Sequence, residues 1–299
     1  MFYRRNAVRA KCEPSGPLRL VASLAAALRL RLRRWRGLGL GTLDEGDLLS
    51  MAIHGVRVAD AERLSTMGYS PVDADTLVRL ESEPGAMPWL EGVYALGLRL
   101  DLDEAFRLRS HGVSVDEVHA FRDAGVSVGV DALVRLKDQG IDASYAKGMI
   151  DAGVGKDDLD GIVRLHAHGI PTDFVRGIRS SGYSGAGVDD LVRLHDQGVG
   201  PDYVRGLVAS HLPDMTLDDV VRLHAHGVPA DYVRAIVEIG PGRRDADDAI
   251  RLHDHGVSAD LVRSLTRDGR RDLTVDDVIR AAARGPEALG DRAGTEERR

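Results

Sequence analysis

Glycine recurs along this chain at a fixed step, and that step limits what the chain can fold into. Gly112, Gly140, Gly169, Gly198, Gly227, Gly256 and Gly285 are separated by one interval of 28 residues and five of 29, and Gly55 and Gly85 continue the series upstream at looser spacing. A second series follows the first by 12 or 13 residues: Gly68, Gly97, Gly125, Gly153, Gly182, Gly240 and Gly269, with His211 in the one missing place. A glycine that closes a helix does so in the left-handed conformation, which side chains resist. Two phased columns therefore predict two helix ends per unit.

The segments between the glycines carry matching starts. Eleven residues before the first-column glycines stand Asp44, Asp101, Gly129, Asp158, Gly187, Thr216, Asp245 and Thr274, all of types that cap a helix N-terminus. Thr216 with Asp219 and Thr274 with Asp277 have capping-box spacing, and Asp189, Asp190, Asp218 and Asp219 favour the helix dipole from the first turn. The second helix is predicted to open after the glycine at Ser114, Pro171, Gly200 with Pro201, Pro229 or Ser258, where proline is tolerated because the N–H it lacks has no helical partner.

Val188, Leu191, Val192 and Leu194 share one face of a first helix, and Tyr203, Val204, Leu207 and Val208 one face of a second. Helices of about 10 residues are marginal alone in water, so they must bury these faces on neighbouring units. The expected fold is all-α: a right-handed-type αα-solenoid of about eight 29-residue two-helix repeats over residues 41–285. Gly148, Gly177, Gly206, Ala235 and Ser264, again 29 apart, mark a close helix approach. Hydrophobic residues make up 43% of the 299, enough for a real core. The single cysteine, Cys12, excludes an internal disulfide framework and suits a reducing, cytoplasmic setting.

Charge divides the chain. Residues 1–40 hold ten basic side chains against Glu13 alone, a net +9; the other 30 basic and 46 acidic groups leave the rest at −16. The basic arm also carries an apolar stripe of Val21, Leu24, Leu28, Leu32 and Trp35, edged by Arg29, Arg33 and Arg36. That pattern predicts an amphipathic helix over 18–36. It suits capping of the first repeat or docking of a partner, with contact to an anionic membrane or nucleic acid through Arg29, Arg31, Arg33, Arg34 and Arg36 as the alternative. The short, largely apolar stretch 20–28 between Arg19 and Arg29 is not expected to act as a cleavable secretory signal. The tail, 286–299, reads as polar and disordered.

Two polar columns invite a functional reading. The more regular contains Arg79, Arg107, Arg135, Arg164, Arg193, Arg222, Arg251 and Arg280. Its expected role is local compensation, with Asp189 and Asp190 one turn before Arg193 on the same helix. The other runs through Lys147, Arg176, Arg205, Arg234 and Arg263, reads as less fully compensated, and is the candidate partner-binding surface. Histidines at 166, 195, 224 and 253 form a third column, and His54, His111, His168, His226 and His255 alternate with Gln139 and Gln197 in a fourth. Side chains two apart on a helix diverge by about 200° and stacked units lie about 10 Å apart, so donors do not converge to the roughly 2.1 Å that a metal needs. Interchange with glutamine points to a hydrogen bond. No metal or other cofactor is expected, nor a nucleophile–base–acid constellation or a phosphate-binding glycine loop; the glycines are accounted for by helix ends. With 13 aromatic residues in all and an acidic body, nucleic acid is a poor partner for the repeats.

The runs RLRSHGVSVDEV, RLHAHGVPADYVRAI and RLHDHGVSADLVRSL resemble the tandem hydrophobic-R-x-x-H-G-V-T-P-E-Y repeats of bacterial sensor metallopeptidases related to antibiotic-resistance receptors. The resemblance covers roughly 44–285. It implies an appended region devoted to interaction, and no peptidase activity, since H-E-x-x-H is missing. A weaker similarity is to DNA-reading tandem repeats with a His-Gly corner, whose units are longer. The expectation is a non-catalytic scaffold that binds a protein or peptide.

Overall fold

A computed structural model describes residues 35, 43–126, 129–183, 185–237, 244–267 and 273–287. These residues contain seventeen α-helices and no strand. The chain divides into two compact units, Met1–Val118 and His119–Arg299. In the first lie α1 (Glu45–Ile53), α2 (Val58–Thr66), α3 (Ala74–Ser82), α4 (Ala86–Ala95), α5 (Leu102–Ser110) and the start of α6 (Val115–Asp123). The second holds α7 (Val130–Asp138), α8 (Ala143–Asp151), α9 (Leu159–Ala167), α10 (Thr172–Ser180), α11 (Val188–Asp196), α12 (Pro201–Val208), α13 (Leu217–Ala225), α14 (Ala230–Val237), α15 (Ala246–Asp254), α16 (Ala259–Arg267) and α17 (Val275–Arg284). Eight helix pairs and a final single helix make this an all-α, solenoid-type stack of tandem repeats, as the glycine phasing predicts.

The ends form where the sequence places them. Asp44, Asp101, Asp158, Thr216, Asp245 and Thr274 are N-caps whose side chains accept a first-turn N–H. Each odd-numbered helix from α9 to α15 closes on glycine in the same way. Gly198 N–H donates to the His195 carbonyl and Val199 N–H to the Leu194 carbonyl, both at 2.9 Å, with Gly198 at φ +69°. The next side chain folds inward, so Ile141, Ile170, Val199, Val228 and Val257 are all buried.

Two positions depart from the pattern. Gly85 has φ +78° but opens α4 instead of closing α3, which runs out into extended backbone at Glu83. His211 fills the missing glycine place in the same left-handed conformation, φ +57°. Gly240 and Gly269 lie outside the described residues.

Packing runs in two layers. In the second unit α9 packs on α11, α13 on α15 and α15 on α17, while α8, α10, α12, α14 and α16 stack in series; in the first unit α1 packs on α3. Leu165, Leu194, Leu223 and Leu252, four residues before their glycines, have no solvent exposure, and Ile178, Leu207 and Ile236 on the even-numbered helices are equally inaccessible. The even layer is drawn together by its small residues. A Cβ built on Gly148 would lie 2.6 Å from Thr172 Cγ2, one on Gly177 2.7 Å from Pro201 Cγ, and one on Gly206 2.7 Å from Ala230 Cβ. Thus at Gly148, Gly177 and Gly206 the missing side chain leaves room for a side chain of the next even-numbered helix.

Candidate functional site

The regular arginine column is compensated mainly across repeats, although Arg79 also lies 3.6 Å from Glu83 and Arg222 3.8 Å from Asp219. Arg193 reaches Asp218 on the next first-helix at 2.6 Å, Arg251 reaches Asp276 at 2.6 Å, and Arg135–Asp160, Arg164–Asp189 and Arg222–Asp247 repeat the arrangement. In the first unit Arg79 approaches Asp103 at 3.7 Å. This corrects the expectation that Asp189 and Asp190 pair with Arg193: Asp189 accepts from Arg164 of the preceding repeat, and Asp190 accepts from the Gly187 N–H. An arginine side chain is long enough to cross to the next helix, and the acid there is held outward in the first turn. At α17 the pairing does turn inward, Arg280 meeting Asp277 at 3.2 Å. The carboxylate of Asp247 raises the Arg222 guanidinium above its ordinary value.

The second column stands in line on the even-numbered helices, and each member is ion-paired. Arg176 meets Asp173 at 2.5 Å, Arg205 meets Asp202 at 2.5 Å, Arg234 meets Asp231 at 3.7 Å and Arg263 meets Asp260 at 3.0 Å, while Lys147 pairs with Asp151 at 3.0 Å. The reading of this column as less fully compensated is therefore corrected. It is a stripe of alternating charge in which the cations are about half exposed and the four partner aspartates 82–93% exposed. The spacing D-x-x-R, repeated every 29 residues, carried this signal in the sequence.

Histidine and aromatic residues form a contact that sequence reasoning missed. Tyr145, Phe174, Tyr203 and Tyr232, 29 apart, each meet the edge of a histidine from the next repeat: His166, His195, His224 and His253, with ring centroids 5.0–5.5 Å apart. The constant offset of 21 residues between the two columns was the available clue. Tyr145 donates its hydroxyl to the Ile170 carbonyl at 2.9 Å, and Tyr203 to the Val228 carbonyl at 2.7 Å. Tyr232 has its hydroxyl buried without a partner among the described residues. Burial pushes all three phenols up to about 12. In the first unit Trp89 makes the corresponding bond, Nε1 to the Val113 carbonyl at 2.8 Å.

The His/Gln column occupies helix C-caps. His168 and His226 place Nδ1 3.0 Å from Asp196 and Asp254 of the following repeat, and His54 Nδ1 lies 2.8 Å from the Ser50 carbonyl on its own helix. Among the described residues no three His, Cys, Asp or Glu side chains converge as a metal set. A shallow cleft of about 310 Å³ is lined by Asp214, Asp219, Asp245 and Asp247 with Pro213 and Ala246. Three of its acids are engaged in structure: Asp219 and Asp245 at helix N-termini, Asp247 with Arg222. Arg29, Arg31, Arg33, Arg34 and Arg36, the helix expected over 18–36 apart from Trp35, and the tail beyond Glu287 lie outside the described residues.

Fold and surface together define a tandem helical-repeat protein whose repeats are joined by a leucine core, glycine notches and cross-repeat ion pairs. No family model matches the chain, and no characterised protein in a curated search matches it. Among the described residues no helix is long and apolar enough to cross a membrane.

Proposed function

We propose that this protein is a non-catalytic, cytoplasmic repeat scaffold that binds a protein or peptide through the outer stripe of its even-numbered helices. The observation that carries the reading is the D-x-x-R array itself. Arg176, Arg205, Arg234 and Arg263 each stand beside a more exposed aspartate, at one register, on helices stacked in series. Exposed pairs of this kind contribute at most about 1 kcal/mol to stability, so the fold gains little from them. A partner of mixed charge, with opposite pairs spaced about 10 Å apart to match the stacking, fits such a stripe. The likeness of the His-Gly-Val runs to repeats appended to sensor metallopeptidases supports an interaction role and no chemistry.

The test begins with affinity purification from nuclease-treated host extract, using the full chain and a form lacking residues 1–40, followed by binding measurements with the purified partner. Triple reversal, Arg176→Glu, Arg205→Glu and Arg234→Glu, is expected to abolish binding while circular dichroism and thermal midpoint stay within the effect of three surface pairs. Neutralising Asp173, Asp202 and Asp231 to Asn is expected to weaken a mixed-charge partner and to strengthen a purely acidic one. Unchanged affinity in both triples removes the stripe as the site. Binding that needs residues 1–40 transfers the function to the basic arm.

A further inference from the structure

We propose that the apolar stripe of the basic arm, Val21, Leu24, Leu28 and Leu32, caps the first repeat by docking on the face of α1 that carries Leu49 and Ile53. Those two residues are the exposed large hydrophobic side chains among the described residues, at 62% and 71%. Their columns explain why they should be covered. Leu49 stands six residues before its glycine, where Phe106, Val192, Val221 and Ile250 are all buried. Phe106 shows what covers such a position, since the Arg79 guanidinium of the preceding repeat lies 3.6 Å above its ring. Ile53 stands two before the glycine, where Asp196 and Asp254 receive His168 and His226 of the preceding repeat. Both side chains therefore lie on the surface that, elsewhere in the stack, accepts the repeat before.

The occupant follows from what α1 lacks. Later first-helices present an aspartate to the arginine of the preceding repeat, as Asp189 does to Arg164 and Asp218 to Arg193; the equivalent position in α1 is Gly46. At that position α1 presents no carboxylate to a ladder arginine. A second copy stacked head to tail would bring Arg280 to that place and find no acid. The arm offers an apolar stripe, and Trp35, its last member, is buried at 5% exposure. Nine residues lie between Trp35 and Glu45, and their ten steps, up to about 33 Å of chain, are ample to return along a nine-residue helix only about 14 Å long. Charge agrees: Arg29, Arg33 and Arg36 edge the stripe, and α1 begins with Asp44, Glu45 and Asp47. Terminal repeats need a cap that covers the inner face and turns a polar side to water, and an amphipathic basic segment meets both requirements.

The experiment is hydrogen exchange on the full chain, read by mass spectrometry for peptides covering 18–36 and 45–53. In the wild type, amides of 22–34 are expected to exchange at least tenfold more slowly than an unstructured chain. Leu49→Asp with Ile53→Asp, both at exposed positions, is expected to release that protection and leave the repeats beyond α5 unchanged. Leu24→Asp with Leu28→Asp is expected to speed exchange across 45–53 reciprocally. Unprotected 22–34 in the wild type overturns the proposal, as does protection that survives the α1 double substitution. Protection that appears only with vesicles containing anionic lipid overturns it in favour of a membrane contact, and protection that rises with protein concentration overturns it in favour of a second copy.

Discussion

At the residue scale the tyrosine column separates a satisfied hydroxyl from an unsatisfied one in a single molecule. Tyr203 donates to the Val228 carbonyl, whereas Tyr232 buries its hydroxyl unpartnered. Tyr203→Phe is expected to lower unfolding free energy by about 1 kcal/mol, because a carbonyl loses its donor, while Tyr232→Phe is expected to be neutral or stabilising. Urea unfolding of both variants at pH 7 checks the contrast. The same phenols govern alkaline stability. Burial raises them from about 10 to about 12, so the fold favours the neutral form. That contribution is complete below pH 10 and is lost as pH rises from 10 towards 12. The urea midpoint is expected to fall across that window, and to fall less steeply in Tyr145→Phe. His211 adds a strained position, a side chain at φ +57° where the other repeats use glycine. His211→Gly is expected to raise stability by up to about 1 kcal/mol, the left-handed penalty offset in part by the greater backbone entropy that glycine loses on folding.

At the scale of elements the even helices are set by their notches. Gly177 faces the rigid ring of Pro201, whose Cγ is 2.7 Å from where a Cβ would stand. An alanine there gains about 1 kcal/mol of helix propensity and loses a similar amount to the clash, so Gly177→Ala is expected to change little. Gly177→Leu has no such balance and is expected to cost about 3 kcal/mol, read as a lower guanidinium midpoint with the denaturant slope unchanged. Ala235 occupies the same column in another interface of the stack and is buried there, so a methyl group is accommodated at that place, where no proline faces it. The odd helices are organised differently, by leucines without exposure and by caps. Thr216→Ala is expected to cost about 1 kcal/mol through the lost bond to the Asp219 N–H.

At the scale of the whole molecule, stability in a repeat protein is a sum of repeat and interface terms, and the arginine ladder belongs to the interface. A double-mutant cycle on Arg193 and Asp218 is expected to give a coupling of up to about 1 kcal/mol that shrinks in 1 M salt. The same cycle on Arg193 and Asp190, one helix face apart in sequence, is expected to give none. A reversed result would return the pairing to within the helix. Substitutions in the D-x-x-R stripe should leave these interface terms intact, so binding and folding can be separated.

Much of the architecture follows from local chemistry, and local chemistry is readable from the order of residues. Glycine at 29-residue steps, caps eleven residues earlier and leucines four residues earlier each act within one helix or its turn, so helix number, ends and buried faces were determined by the sequence. The small column at 148, 177 and 206 was legible too. Relations between repeats were not. An arginine with acids one turn away on its own helix and another 25 residues further on has two partners of equal chemistry, and only the stacking distance chose Asp218 for Arg193. The pairing of Tyr203 with His224, the bridge from His168 to Asp196, and the exposure of Leu49 and Ile53 arise in the same way. A repeat specifies its own helices, but what its surface meets is decided by the neighbour packed against it.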